Sequence, residues 1–144
     1  MTLVDQLNYA IEIAVTAHEG QTDKAGLPYI LHPLRVAGRL NDIKDQIVGV
    51  LHDVPEDCPM YPLTWFMEQP FDPEIVAALE AITKREGEDY TDYLERVRAN
   101  EIASRVKIAD LTDNSNLTRI PDPGPEDSAR RNKYAAALVF LGVE

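Results

Sequence analysis

Apolar residues recur at helical spacing along almost the whole chain. One face of the first predicted helix carries Leu3, Leu7, Ile11, Ala14, Val15 and His18. No segment has the alternation of apolar and polar residues that a half-buried strand needs. The pattern therefore predicts a single all-α domain over residues 1–144, a compact bundle of about six to eight helices.

Capping and breaking signals mark where the predicted helices begin and end. The residues from 19 to 31 are rich in Gly, Asp, Pro and Thr and predict an ordered loop. Asp42 and Thr91 are predicted N-caps, and Asp72-Pro73-Glu74 combines a cap residue, a proline and an acid in the first turn. A break at Asp122-Pro123-Gly124-Pro125 precedes the last predicted helix.

The composition is that of a globular protein. The chain has 144 residues, of which 44% are hydrophobic and 27% are charged, and no apolar run is long enough to cross a bilayer. The first residues lack a basic region followed by an apolar stretch, so we expect no secretory signal and a cytoplasmic location. A single cysteine, Cys58, excludes an internal disulfide and a metal site made of several cysteines.

The charge balance limits the classes of partner that the chain is expected to bind. The chain has 14 basic and 25 acidic residues, a net charge of −11. This balance argues against general nucleic-acid binding, which needs a basic face. It remains compatible with a small anionic substrate held by a metal cation and a few Lys or Arg residues, and with an oligomer.

The candidate chemistry lies around two of the three histidines. His32 stands at a predicted helix start, Asp53 follows His52 directly, and Asp110 lies on a distant predicted helix. Two imidazoles and two carboxylates form a mixed set of donors that suits Mn²⁺, Fe²⁺ or Zn²⁺. A His-Asp pair alone is common, and a lone histidine on an apolar face is usually a core residue. Burying all these groups without a cation would be costly, which favours a metal site.

Two acids follow the His-Asp pair closely. Glu56 and Asp57 are candidates for the general acid and base that act on a water molecule, and the alternative is a solvated acidic helix end. Asp110 and Asn114 lie four residues apart and are expected on the same helix face.

Basic residues outside these segments are expected to be structural. Lys107 is predicted to be exposed or paired and not catalytic. Four basic residues lie near or in the last predicted helix: Arg119, Arg130, Arg131 and Lys133. Some could reach a phosphate, but the favoured interpretation is that they are surface charges that offset the acidic domain, or partners at helix ends.

Four blocks of sequence resemble the hydrolase domain of RelA/SpoT-type enzymes, including its small stand-alone versions, within the HD-domain metal-dependent phosphohydrolases. The resemblance spans about residues 8–120 in order. The blocks are Ala17-His18-Glu19-Gly20-Gln21, the segment 24–37 with Tyr29-Ile30-Leu31-His32-Pro33, Leu51-His52-Asp53-Val54-Pro55-Glu56-Asp57, and Val106-Lys107-Ile108-Ala109-Asp110-Leu111-Thr112-Asp113-Asn114.

The resemblance implies an all-helical fold with one divalent metal ion, usually Mn²⁺, and hydrolytic removal of pyrophosphate from the ribose 3′ position of guanosine tetra- or pentaphosphate (ppGpp, pppGpp). The metal ligands it implies are His32, His52, Asp53 and Asp110. The water and its proton would be handled by Glu56 and Asp57. The residues implied to hold the substrate, or to line or support its pocket, are Lys24, Asn114, Tyr29 and His18.

Two dipeptides depart from the family pattern. Asp23-Lys24 stands where the family usually has a basic pair, and Thr112-Asp113 stands where it commonly has Leu-His. Two other functions therefore stay open: an HD-type nucleoside 5′-monophosphatase, and a non-catalytic HD domain that senses a nucleotide.

Overall fold

A computed structural model describes residues 1–144 and is all-helical, which confirms the predicted fold class. The helices are α1 (Leu3–Ala17), α2 (Leu31–Gly38), α3 (Ile43–Leu51), α4 (Val54–Asp57), α5 (Leu63–Met67), α6 (Pro73–Ile82), α7 (Tyr90–Arg98), α8 (Glu101–Asn114) and α9 (Pro125–Phe140), with a 3₁₀ turn at Leu117–Arg119. Seven of these helices have eight residues or more. The only β pairing is an isolated bridge between Thr22 and Pro28. No helix combines the length and the apolar character needed to cross a membrane.

Most predicted helix starts are observed with their capping hydrogen bonds. The side chain of Asp42 accepts from the backbone N–H of Lys44 at 2.9 Å at the start of α3. Asp72 caps α6 in the same way. The predicted cap at Thr91 is wrong, because Asp89 accepts from the N–H of Thr91 at 2.8 Å and the helix has already begun. Aspartate is the stronger cap of the two and stands earlier in the chain.

The first helix lies where predicted, but its buried face is rotated. The fully buried residues of α1 are Gln6, Ala10, Ile13 and Ala14. Val15, predicted inward, is 50% exposed, and the leucines at the start of the helix are only partly buried. Gln6 is buried because its Oε1 accepts from the backbone N–H of Asp72 at 2.8 Å, a tertiary contact that hydrophobicity does not encode.

Helices α3 and α8 form the centre of the bundle. α8 packs against α2, α3, α6, α7 and α9, and α3 packs against α1, α2, α6 and α8. Gly49 allows α2 and α3 to approach closely, because a Cβ on this residue would lie 3.2 Å from Leu40 Cδ1 and 3.4 Å from Val36 Cγ1. The result is that the start of α2, the end of α3 and the middle of α8 meet at one place in the interior.

Candidate active site

Four side chains that are remote in sequence meet where α2, α3 and α8 converge. One donor atom from each of His32, His52, Asp53 and Asp110 lies within 4.8 Å of the others. The Nε2 atoms of His32 and His52 lie 2.9 and 3.2 Å from Asp110 Oδ1. His52 Nε2 also lies 3.2 Å from Asp53 Oδ2. The two histidines and Asp110 are at most 5% exposed, so the cluster is inside the fold.

The break between α3 and α4 allows the adjacent residues His52 and Asp53 to point toward the same cluster. α3 ends at Leu51, and α4 begins at Val54. His52 and Asp53 occupy the turn between the two helices, so their side chains are not spread by the 100° step of a continuous helix. Pro55 lies in the first turn of α4, directly after the break between the two helices.

The outer nitrogens of both imidazoles are occupied by hydrogen bonds. His52 Nδ1 donates to the carbonyl oxygen of Gly49 at 2.6 Å, and a carbonyl can only accept. His32 Nδ1 lies 2.7 Å from Asp113 Oδ2. When the rings are neutral, Nδ1 therefore carries the proton and the lone pair of Nε2 points to the cluster. Two nitrogen and two oxygen donors arranged in this way fit a divalent metal ion.

The electrostatics of the cluster favour a cation. Burial alone would raise the pKa of Asp110, but Lys107 and His52 hold it well below the usual range of an aspartate. Burial likewise opposes protonation of His52, yet the carboxylates of Asp53 and Asp110 raise its pKa well above the usual value. Lys107 is paired, as predicted, with its Nζ 3.0 Å from Asp110 Oδ2.

The predicted substrate residues fall into two groups. The hydroxyl of Tyr29 donates to Asp53 Oδ2 at 2.6 Å, and Asn114 Nδ2 donates to Asp110 Oδ1 at 3.1 Å, so both contact the cluster directly. The contact of Asn114 with Asp110 agrees with the helix face expected for these two residues. His18 is buried behind Tyr29, with ring centroids 5.0 Å apart, and its Nδ1 lies 2.8 Å from Gln21 Oε1.

The two candidate acids lie on α4, immediately after the cluster. Glu56 and Asp57 lie at the surface, where neighbouring groups shield part of each carboxyl. Partial burial of the carboxyl, together with the charges of Asp53 and Asp57, raises the pKa of Glu56. Partial burial and the charge of Asp53 also raise the pKa of Asp57. Both are therefore better proton acceptors near neutral pH than ordinary surface carboxylates.

A cavity of about 420 Å³ opens beside the cluster, between the loop from 19 to 31 and α9. Its wall includes His32, Tyr29 and Asn114, the acidic residues Asp23 and Asp127, and four basic side chains. These are Lys24, Arg35, Arg119 and Arg130. Arg130 pairs with Asp127 in the first turn of α9, which agrees with the alternative of a helix-end partner. Both arginines also line the cavity, Arg119 from the 3₁₀ turn and Arg130 from α9. Nothing in their local sequence signals this position.

The two departures from the family pattern have structural roles. Asp23 Oδ1 accepts from the backbone N–H groups of Ala25 and Leu27, both at 2.9 Å, so this carboxylate closes its own loop. Asp113 is completely buried and is held by Arg35, whose Nε lies 2.9 Å from Asp113 Oδ1. Sequence reasoning missed Asp113 and Arg35, although each lies three residues after a candidate ligand on the same helix face.

Comparison with known proteins shows which family the chain resembles. The chain is 35% identical over 101 residues to the bifunctional (p)ppGpp synthase/hydrolase SpoT of Escherichia coli, covering 67% of the chain and 14% of that protein. It is 40% identical over 79 residues to a guanosine-3′,5′-bis(diphosphate) 3′-pyrophosphohydrolase of Borreliella burgdorferi, which is 52% of the chain and 12% of the relative. A probable GTP pyrophosphokinase of Mycobacterium leprae is 30% identical over 143 residues, covering 90% of the chain and 18% of the relative.

No protein-family model matches the chain. The chain spans less than a fifth of the length of these three relatives. The matched region and the cluster centred on His52-Asp53 together identify what the domain is. The chain belongs to the RelA/SpoT-type hydrolase-like domains, and its His-Asp cluster is consistent with the HD-domain group.

Proposed function

We propose that this chain is a metal-dependent phosphohydrolase that removes pyrophosphate from the ribose 3′ position of guanosine tetra- or pentaphosphate. The observation that carries the proposal is the convergence of four donor side chains from α2, α8 and the turn after α3, next to a cavity lined by more basic than acidic residues. The names of relatives that match half to two thirds of the chain support the same reaction.

The proposed metal ligands are His32, His52, Asp53 and Asp110, and the proposed ion is Mn²⁺. Imidazole nitrogens and carboxylate oxygens also suit Fe²⁺, Co²⁺ and Zn²⁺, so the proposal extends to this class of ions. When bound, such an ion supplies Lewis acidity to a phosphoryl oxygen and makes a water molecule a stronger acid.

The cavity is the proposed nucleotide site. Its volume of about 420 Å³ lies in the range of small-molecule pockets. Lys24, Arg119 and Arg130 would offset the charge of the phosphate groups, which is necessary in a protein with a net charge of −11. Asn114 would donate to the ribose or a phosphate, and Tyr29 would form the wall between the nucleotide and the cluster.

Glu56 and Asp57 are the proposed proton carriers. One carboxylate accepts a proton from the attacking water, whose oxygen bonds to the phosphorus attached to the 3′ oxygen. The bond between that phosphorus and the 3′ oxygen breaks, and the proton passes to the 3′ oxygen, giving a 3′-hydroxyl and pyrophosphate. Burial and neighbouring carboxylates raise the pKa of both Glu56 and Asp57, so either carboxylate can serve as the acceptor.

The test is a substrate panel with the purified protein and Mn²⁺. The panel contains ppGpp, pppGpp and the nucleoside 5′-monophosphates, and the products are separated by ion-exchange chromatography. We expect pyrophosphate release from the first two substrates only. His52→Ala should lose both bound metal and turnover, whereas Lys44→Ala, which removes a surface ion pair with Glu74, should retain them.

Three results would contradict the proposal. Full turnover by His52→Ala would show that the site is elsewhere. Turnover of 5′-monophosphates in place of ppGpp would indicate a nucleoside 5′-monophosphatase. Nucleotide binding without turnover under any of the divalent metals would indicate a sensing domain.

A further inference from the structure

Asp113 is a buried carboxylate whose side-chain hydrogen-bond partners all line the cavity, and Arg39 adds an ion pair at 3.9 Å. It has no exposed surface and lies on α8, three residues after Asp110. Its Oδ2 lies 2.7 Å from His32 Nδ1, and both of its oxygens accept from Arg35, at 2.9 and 3.1 Å. Arg119 Nη2 adds a longer contact of 3.4 Å to Oδ2. A buried carboxylate with this many donors is fully satisfied and therefore held in one position.

The contacts of Asp113 fix both ends of one imidazole ring. His32 Nδ1 faces Asp113 Oδ2, while His32 Nε2 faces Asp110 Oδ1 at 2.9 Å. Both carboxylates are on α8, whereas the histidine is on α2. Because a carboxylate only accepts, Nδ1 must carry a proton, and the neutral ring then offers its lone pair at Nε2.

Arg35 completes the arrangement from the helix that carries the histidine. It lies three residues after His32 on α2 and donates to Asp113 through two nitrogens. The planar guanidinium allows little movement of the carboxylate it binds. Arg35 also carries the positive charge that balances the buried carboxylate of Asp113, so this carboxylate is not an unpaired anion in the interior.

The second histidine is held differently. His52 Nδ1 donates to the neutral carbonyl of Gly49, one turn earlier on its own helix. His32 instead uses a charged carboxylate from another helix. A carboxylate behind a ligating imidazole increases the basicity of the ligand and fixes its orientation.

We propose that Asp113 is a positioning residue of the metal centre, which holds the His32 ring with its Nε2 toward the ion and is itself locked by Arg35. The inference rests on the proposed metal-dependent function. It concerns a position where RelA/SpoT-type domains commonly have a histidine.

The test measures Mn²⁺ binding to the metal-free protein by isothermal titration calorimetry. Asp113→Ala should weaken Mn²⁺ binding about 10- to 100-fold. Asp113→Asn, whose amide oxygen accepts the same hydrogen bond without the charge, should fall between Asp113→Ala and the wild type. With ppGpp, the Mn²⁺ concentration for half-maximal rate should rise while kcat at saturating Mn²⁺ changes much less.

Asp45→Ala is the matched control. Asp45 is also a buried aspartate held by an arginine, with Arg105 Nε 2.6 Å from its Oδ2, but it has no contact with the histidines. This variant should lower the melting temperature and leave Mn²⁺ affinity unchanged.

Two results would overturn the inference: wild-type Mn²⁺ affinity in Asp113→Ala, or an equal loss of affinity in Asp45→Ala. If Asp113→Ala does not fold, wild-type affinity in Asp113→Asn overturns it. A wild-type protein that binds no divalent metal contradicts the proposed function itself, and the inference falls with it.

Discussion

At the scale of single residues, the site joins groups that would each be unfavourable alone. Asp110 is buried but contacts His32, His52 and Lys107 within 3.2 Å. The pairing offsets the cost of burying the carboxylate, and removing one partner would leave an uncompensated charge. Substitutions inside the cluster therefore affect folding as well as chemistry, so functional tests are sharper at its edge.

Glu56 lies at that edge and allows a test by pH. Its carboxylate must be deprotonated to accept a proton, and its pKa is raised by partial burial and by Asp53 and Asp57. The rate should therefore fall as the pH drops through a value above the usual range of a glutamate. Glu56→Gln should lower kcat by about 10²- to 10⁴-fold, measured as pyrophosphate release across pH.

Glu86→Gln is the control for this prediction. Glu86 lines the same small surface cleft as Glu56 but belongs to the loop after α6, so its loss should leave the profile unchanged. A Glu56→Gln protein with a rate close to that of the wild type would contradict the role given to Glu56.

The residues of the site differ in how strongly the amino-acid sequence indicates their role. His52, Asp53 and Asp110 interrupt apolar helix faces, and such interruptions need an explanation wherever they occur. Asp113 and Arg35 carry a weaker signal, which is only their spacing of three from Asp110 and His32. The roles of the four candidate ligands stay a prediction, although the structure brings the four side chains together.

At the scale of elements, the packing of α2 on α3 sets the distance between the two histidines. Gly49 lies on the face of α3 that touches α2, and its missing side chain leaves room for Leu40 and Val36. A glycine inside a helix usually lowers the stability of the helix. Its presence here indicates that the close packing of α2 on α3 contributes more stability than the glycine costs.

A pair of valine substitutions tests this interpretation. Gly49→Val should destabilise the fold by about 1–3 kcal/mol because the added atoms overpack the contact between α2 and α3. Gly38→Val, at the exposed end of α2 where an added Cβ would meet no atom within 4 Å, should change stability by less than about 0.5 kcal/mol. The measurement is the free energy of unfolding in urea. An equal loss of stability in the two variants would contradict the role of Gly49 in the packing of α2 on α3.

Helix starts are the most predictable elements, and helix faces are less so. Asp42 and Asp72 act within their own turn, so their signals are local and the predicted caps are confirmed. The buried face of α1 depends on which helices pack on it, and the contact of Gln6 with Asp72 decides this across 66 positions of sequence. The spacing of apolar residues in α1 therefore cannot by itself predict which face of the helix is buried.

At the scale of the whole molecule, basic residues are concentrated at one cavity of an otherwise acidic protein. The chain is strongly acidic, yet four of its 14 basic residues line one cavity. Those four come from the loop from 19 to 31, from α2, from the 3₁₀ turn and from α9, so only the complete fold assembles them. This is why the cavity could not be predicted from sequence. The expectation that the chain does not bind nucleic acids in general rests on its net charge alone and stays a prediction.

The most direct test of the account is a crystal structure of the protein with Mn²⁺, with anomalous diffraction data that locate the ion. The account predicts one anomalous peak within coordination distance of the Nε2 atoms of His32 and His52 and of carboxylate oxygens of Asp53 and Asp110. Mn²⁺ bound elsewhere, or a fully formed cluster without a peak at saturating Mn²⁺, would contradict it.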